Sequence, residues 1–298
     1  MQRIGIVGLG LMGTAIAQRL LGAGFAVIGY DVDAQKRQRL GSMDATVAPA
    51  LAELAQQCDT IFLAVFNTDQ VEQVIEGADG LLAARPPSAP RLTLICTSTC
   101  DPARIAALAA RIESPRAGFV EMPVSGTSGQ VAQGDGVGLV AGAREVADAV
   151  TDVLDAVCPR RQYLGAAGNG GKAKLAVNLV LGLNRGAIAE GLVFAERMGL
   201  DPVPFLDVLR NSAAYSQVMD IKGPLMARRD FQQPLSRVDQ SYKDFSLMLD
   251  CARALGQELP FATVYAELLR GCIDAGEAQW DNAAILAEIA RRRAGKAL

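Results

Sequence analysis

The chain has 298 residues, half of them hydrophobic and a fifth charged, an ordinary globular composition with enough length for two cores. A net charge of −3 offers no basic surface, so neither nucleic acid nor a membrane is expected as a partner. There is no histidine, which removes Ser-His-Asp and Cys-His nucleophilic sites and histidine-based zinc sites; no metal is expected, and proton transfer falls to a carboxylate, lysine, tyrosine or cysteine.

The first element, "QRIGIV" (2–7), reads as a core strand and runs straight into "GLGLMG" and a helical pattern over 12–21. "FAVIGYD" (25–31) is a second strand that ends on an aspartate. Helical stretches near 33–40 and 49–57 precede a third strand, "DTIFLAV" (59–65). Further strands are expected at 91–97, 119–122 and 137–142, with helices at 102–112 and 144–157. Apolar strands alternating with helices argue for a mainly parallel, doubly wound sheet. The opening lacks the regions of a secretory signal, and no charge-free apolar stretch of membrane-spanning length follows, so a cytoplasmic protein is expected.

After Gly165 the pattern changes. "GAAGNGG" (165–171) leads into a helix from about 170 to about 198, apolar on almost every side, and nothing beyond reads as a strand. Lys174 and Asn178 stand in that helix one turn apart on one face. A buried ammonium is costly unless something holds it, which marks Lys174 as a candidate functional residue. Helices then follow near 201–213, 238–256 and 259–276, so the expected domains are 1–164 and 165–298. So apolar a helix exceeds what one small domain covers, and a homodimer or homotetramer is expected. The six cysteines have no CxxC and no zinc-type spacing; they are expected to be reduced, structural thiols, with Cys96 and Cys100 neighbours at a strand end.

Gly8-x-Gly10-x-x-Gly13 follows a strand and opens a helix, with Leu9, Leu11 and Met12 between the glycines. The glycines permit a tight turn and close approach of a pyrophosphate, and the helix N-terminus offers free N–H groups to phosphate. Asp31, at the end of the second strand, can accept hydrogen bonds from a ribose diol and repels a 2′-phosphate, so NAD is expected in preference to NADP. Lys36 and Arg37, further along, read as solvated helix charges, with bending back toward the end of the second strand as the alternative. The fold class is therefore α/β: a Rossmann-like, doubly wound, dinucleotide-binding domain joined by a long helix to a C-terminal all-α domain.

With this turn, "PVSG" at 123–126 and a glycine-rich lead into Lys174-x-x-x-Asn178, the sequence resembles the β-hydroxyacid dehydrogenase family over nearly its whole length. "STCDP" (98–102), "GLDP" (199–202) and "YKDFSLMLDCARALGQELP" (242–260) extend the resemblance. It implies that Lys174 is the catalytic lysine and that Asn178 helps to hold substrate. Ser125 and Gly126, with Thr127, would bind the carboxylate of a small acid. Thr99 and Lys243 would lie near the nicotinamide, and Val65 and Phe66 against it. The implied reaction is NAD-dependent interconversion of a 3-hydroxy acid and its semialdehyde or keto acid. Two positions depart from the family pattern: Val177 replaces the first of two asparagines, and Thr127 replaces the second glycine of Ser-Gly-Gly.

Oxidising an alcohol requires hydride loss to the cofactor and proton loss from the hydroxyl. A lysine brought by burial toward a pKa of ~7–8 can take that proton, and Lys174 stands in for the missing histidine. Three alternatives are an imine reductase, whose members usually lack lysine at this position, a 6-phosphogluconate-type decarboxylating enzyme, whose helical domain is usually much longer, and a dinucleotide-binding protein without turnover. Tyr215 and Phe231, as isolated aromatics, read as core.

Overall fold

The computed structural model describes residues 2–292. The chain divides into two compact units, Met1–Lys174 and Leu175–Leu298, and the division falls inside the longest helix.

The first unit is built on nine strands: β1 (Arg3–Val7), β2 (Ala26–Tyr30), β3 (Thr46–Val47), β4 (Thr60–Leu63), β5 (Leu92–Cys96), β6 (Ala117–Glu121), β7 (Val124–Ser125), β8 (Val137–Gly142) and β9 (Arg160–Tyr163). Six run parallel in the order β3-β2-β1-β4-β5-β6, the doubly wound order of dinucleotide-binding sheets. Beyond β6 the sheet turns antiparallel through β8, which also pairs with β7 and β9.

Period-two alternation explains why these strands are apolar throughout. Ile4, Ile6, Phe62 and Ile95 enter one core, and Val7, Ile61, Leu63, Leu92 and Leu94 enter the core on the opposite face. Helices cover both faces: α1 (Leu11–Gly22), α2 (Ala34–Gly41), α3 (Leu51–Gln57), α4 (Thr68–Glu76), α5 (Leu81–Ala84), α6 (Pro102–Ile112), α7 (Ser128–Ala132), α8 (Arg144–Asp148) and α9 (Thr151–Val157). The helical run expected over 144–157 is two helices, separated at Ala149 and Val150. The short strands β3, β7 and β9 are too brief or too polar for a periodic signal.

The helix α10 (Asn169–Arg197) leads into the second unit, which adds α11 (Pro202–Arg210), α12 (Val218–Arg228), α13 (Val238–Ala254), α14 (Pro260–Asp274) and α15 (Ile285–Arg291). The sequence reading passes over α12 because Gly223 and Pro224 lie inside it, and both ordinarily interrupt helices. By length and hydropathy α10 is long and apolar enough to cross a membrane; here Ile188, Ala189, Leu192 and Val193 lie in the core of the second unit. Gly182 and Gly186 let aromatic rings approach its backbone: a Cβ on Gly182 would lie 2.4 Å from Phe245, and one on Gly186 3.0 Å from Tyr265. Phe231 stacks on Trp280 in the same core, as expected. Tyr215 does not: it is exposed, and its hydroxyl donates to Asp220.

None of the six cysteines forms a disulfide. Cys96 and Cys100 come together thiol to thiol, and that hydrogen bond with burial pushes the Cys96 thiol well above the usual range.

Candidate active site

β1 ends at Val7, and the chain turns at Gly8 with φ of +92°, in the left-handed region that favours glycine. A Cβ there would lie 2.5 Å from the Ala64 carbonyl, and one on Gly13 would lie 1.9 Å from the Gly8 carbonyl. Those two glycines allow strand, turn and helix to close on one another. Gly10 differs: nothing lies within 4 Å of where its Cβ would be. It caps α1 without any side-chain bond, and the first N–H groups of a helix have no intrahelical partner. Open space before free N–H groups and a positive dipole end suits a pyrophosphate. Leu9 is buried beneath the turn, Met12 is half-buried, and Leu11 is exposed at the start of α1.

Asp31 is tied to this turn. Its Oδ2 accepts the Leu9 N–H at 2.7 Å and its Oδ1 the Asp33 N–H at 2.9 Å. Lys36 and Arg37 are not the solvated helix charges that the sequence reading makes them. Lys36 Nζ stands 3.7 Å from Asp31 Oδ2, and Arg37 donates to the carbonyls of Asp31 and Val32 at 2.5 and 3.2 Å. Both bend back because the Asp31 carboxylate and the Asp31 and Val32 carbonyls, just after β2, lie within their reach from the first turn of α2.

Val65 and Phe66 follow β4, and Thr99 follows β5, so all three lie at the carboxyl ends of adjacent parallel strands, where such sheets bind ligands. The two segments are joined: Ser98 Oγ donates to the Val65 carbonyl at 2.8 Å, and the Phe66 N–H is held by Gln70 at 2.8 Å.

The Lys174 side chain is buried, and its Nζ donates to the Val124 carbonyl at 2.7 Å. Ser125 is the next residue and is half-buried, and Gly126 turns with φ of +145°. Thr127 caps α7; its N–H donates to Gln130 Oε1 at 2.9 Å, and its hydroxyl accepts the Gln130 N–H at 3.2 Å. Thr127 therefore ties the loop that carries Ser125 and Gly126 to the start of α7.

In the second unit, Asn178 donates to Asp244 Oδ2 at 3.1 Å, and Lys243 pairs with Asp244 Oδ1 at 2.8 Å. Asp244 is buried and links two of the residues expected at the site. The sequence reading gives it no role at the site. A second residue it misses is Glu121, at the end of β6, whose carboxylate accepts the N–H groups of Gly168, Gly170 and Gly171. Its only sequence signal is a carboxylate inside an apolar strand just before "PVSG".

Comparison with known proteins agrees with this fold. Residues 3–165 match the family described as the NAD binding domain of 6-phosphogluconate dehydrogenase, and residues 168–289 match the NAD-binding domain of NADP-dependent 3-hydroxyisobutyrate dehydrogenase. The chain is 32% identical to an L-threonate dehydrogenase of Cupriavidus necator, over 96% of this chain and 95% of the relative. It is 29% identical to a 2-hydroxy-3-oxopropionate reductase of Escherichia coli, over 95% of this chain and 96% of the relative. A crystal structure of 3-hydroxyisobutyrate dehydrogenase from Salmonella typhimurium superposes with a TM-score of 0.87 at 28% identity, covering 96% of this chain and 99% of that one. The chain belongs to the β-hydroxyacid dehydrogenase family and is an NAD(P)-dependent oxidoreductase of the CH–OH group.

Proposed function

We propose that the protein interconverts a small 3-hydroxy acid and its semialdehyde or keto acid, with Lys174 as general acid/base and NAD as the preferred dinucleotide. The observation that carries this reading is the buried Lys174 ammonium, held at 2.7 Å by the carbonyl of the residue before Ser125. The proposed proton-transfer group thus stands against the backbone that leads directly into the proposed carboxylate loop.

A dinucleotide held by the Gly8–Gly13 turn and Asp31 would supply hydride acceptance from, or hydride return to, the carbinol carbon. The Lys174 amine accepts the hydroxyl proton as the carbonyl forms, and in the reverse direction the ammonium returns a proton to the developing alkoxide. Ser125 and the Gly126 backbone hold the carboxylate through charge-assisted bonds, with Thr127 setting the loop. Asn178 orients the substrate oxygen and is itself aimed by Asp244. Val65, Phe66, Thr99 and Lys243 serve the nicotinamide end, and Gly8 to Gly13 with Asp31 the pyrophosphate and ribose. In this reading residues 1–164 bind the dinucleotide, and residues 165–298 bind substrate and pair subunits.

Exposed apolar side chains on the second unit, among them Val180, Phe194, Met198, Val208 and Phe261, support a homodimer or homotetramer in which a second copy covers them. Six cysteines without a disulfide among them suit a reducing, cytoplasmic compartment.

The names of the relatives set the first substrate panel: L-threonate, 3-hydroxyisobutyrate, and the alcohol acid formed by reducing 2-hydroxy-3-oxopropionate. Absorbance at the reduced-nicotinamide band is followed with NAD and with NADP. Turnover of at least one acid, and none of its amide or parent alcohol, is expected. Equal rates on acid and neutral analogue would refute the carboxylate site.

A further inference from the structure

Glu121 is 3% exposed, an acidic side chain brought inside the first unit at the end of an apolar strand. Burial raises its pKa, and the three backbone N–H groups it accepts pull in the other direction. Those donors belong to the entry and first turn of α10: Gly168 and Gly170 (3.1 Å) on Oε1, and Gly171 (3.0 Å) on Oε2. These N–H groups have no partner within the helix, and the positive end of the helix dipole favours a carboxylate there.

The same strand end reaches α10 a second time. Three residues after Glu121, the Val124 carbonyl receives the Lys174 ammonium, one turn into that helix. Segment 121–125 therefore grips the start of α10 by its backbone and by its lysine. The glycines of 168–171 make the first grip possible. Gly168 has φ of +94°, and a Cβ on Gly170 would lie 3.1 Å from the Glu121 Cδ and 2.8 Å from the Leu139 carbonyl. Only bare backbone lets the carboxylate sit against the helix end.

We infer that Glu121 is a positioning residue for Lys174: its carboxylate locks the first turn of α10 to the β6–β7 segment and so sets where the ammonium stands relative to the Ser125 loop. The inference rests on the proposed role of Lys174, and it explains both the buried acid and the glycine-rich entry to the helix.

The test is a double-mutant cycle on the full-length protein, with hydrogen exchange as an independent readout. Glu121→Gln keeps the shape and one acceptor oxygen but sets an amide N–H against the helix N–H groups. It is expected to lower kcat by on the order of 10²-fold, the cost of an ångström-scale misplacement, with dinucleotide affinity unchanged. On a Lys174→Ala background the same change should cost nothing further. Gly170→Ala, which displaces the carboxylate without altering it, should reproduce the loss, and Glu121→Asp should recover part of it. Amide exchange at 170–174 should quicken in Glu121→Gln while strand β1 stays protected. Wild-type exchange there and wild-type kcat would overturn the inference, as would an equal loss of kcat on both backgrounds. Full activity in Lys174→Ala alone refutes the role of the lysine instead, and the exchange readout still decides whether Glu121 holds the helix.

Discussion

The Asp31 carboxylate accepts the Leu9 N–H at 2.7 Å, so the residue proposed to meet an adenosine ribose also braces the glycine turn. Lys36 and Arg37 close on the same residue from α2. NADH is expected to bind more tightly than NADPH, because a 2′-phosphate would meet the carboxylate. Asp31→Ala should narrow that preference, since the two cations remain, and should weaken NADH binding by loosening the turn. Fluorescence titration with both reduced dinucleotides measures each effect; tighter NADPH binding by the wild type would reverse the assignment.

Lys174→Ala should lower turnover ~10²–10⁴-fold, the value of a positioned proton-transfer group. Dinucleotide affinity should survive, because the glycine turn lies elsewhere in the unit. Lys174→Arg should not rescue, as a guanidinium stays charged and cannot accept the proton. The rise of oxidation rate with pH should disappear in Lys174→Ala, and an unchanged pH profile would make the lysine structural.

Ser125→Ala should raise KM for the hydroxy acid by roughly 10–100-fold, the value of one hydrogen bond to a charged group. Dinucleotide affinity should stay constant. Steady-state kinetics at saturating dinucleotide separate the two, and an unaltered KM would remove Ser125 from the carboxylate site.

Lys222 and Asp281 form a buried ion pair in the second unit, 2.7 Å apart, and Asp281 also accepts the N–H groups of Leu235, Ser236 and Ala283. Lys222→Met leaves that carboxylate without its cation and should destabilise the protein by about 3 kcal/mol. Burial brings the Lys222 pKa down from 10.5 to about 8, with Asp281 opposing the shift and Arg185 adding to it. Between those values the unfolded chain holds the proton and the folded protein does not, so this residue makes stability rise with pH across that window. Urea denaturation at pH 7.5 and pH 10 should show the increment in the wild type relative to Lys222→Met. A constant difference between the two would contradict the shift.

Light scattering at micromolar concentration should give a mass of two or four 31.3 kDa chains. Phe194→Asp, on the exposed apolar side of α10, should reduce it. A stable monomer in the wild type would leave the apolar surface unexplained.

The alternation of apolar strands with helices, the glycine turn and the Lys174–Asn178 spacing are all legible in the sequence, because each depends on local periodicity or on residues close together in the chain. Asp31 at the end of β2 is legible for the same reason, as is the change to an all-helical pattern after Gly165. The partners of the buried charges are a different matter. Glu121 meets helix N–H groups 47 to 50 positions away, and Asp244 meets Asn178 across 66. Nothing local distinguishes Glu121 from a misplaced surface acid, and the helical pattern of α13 does not reveal that Asp244 points inward. Lys36 and Arg37 look like solvated charges until β2 and α2 bring a carboxylate and two carbonyls within their reach. The sequence by itself determined the elements and the chemistry available, since both are set by side chains and short-range geometry. Only the tertiary structure decided which buried charges hold which backbone, because that choice is made when distant segments exclude water from one another.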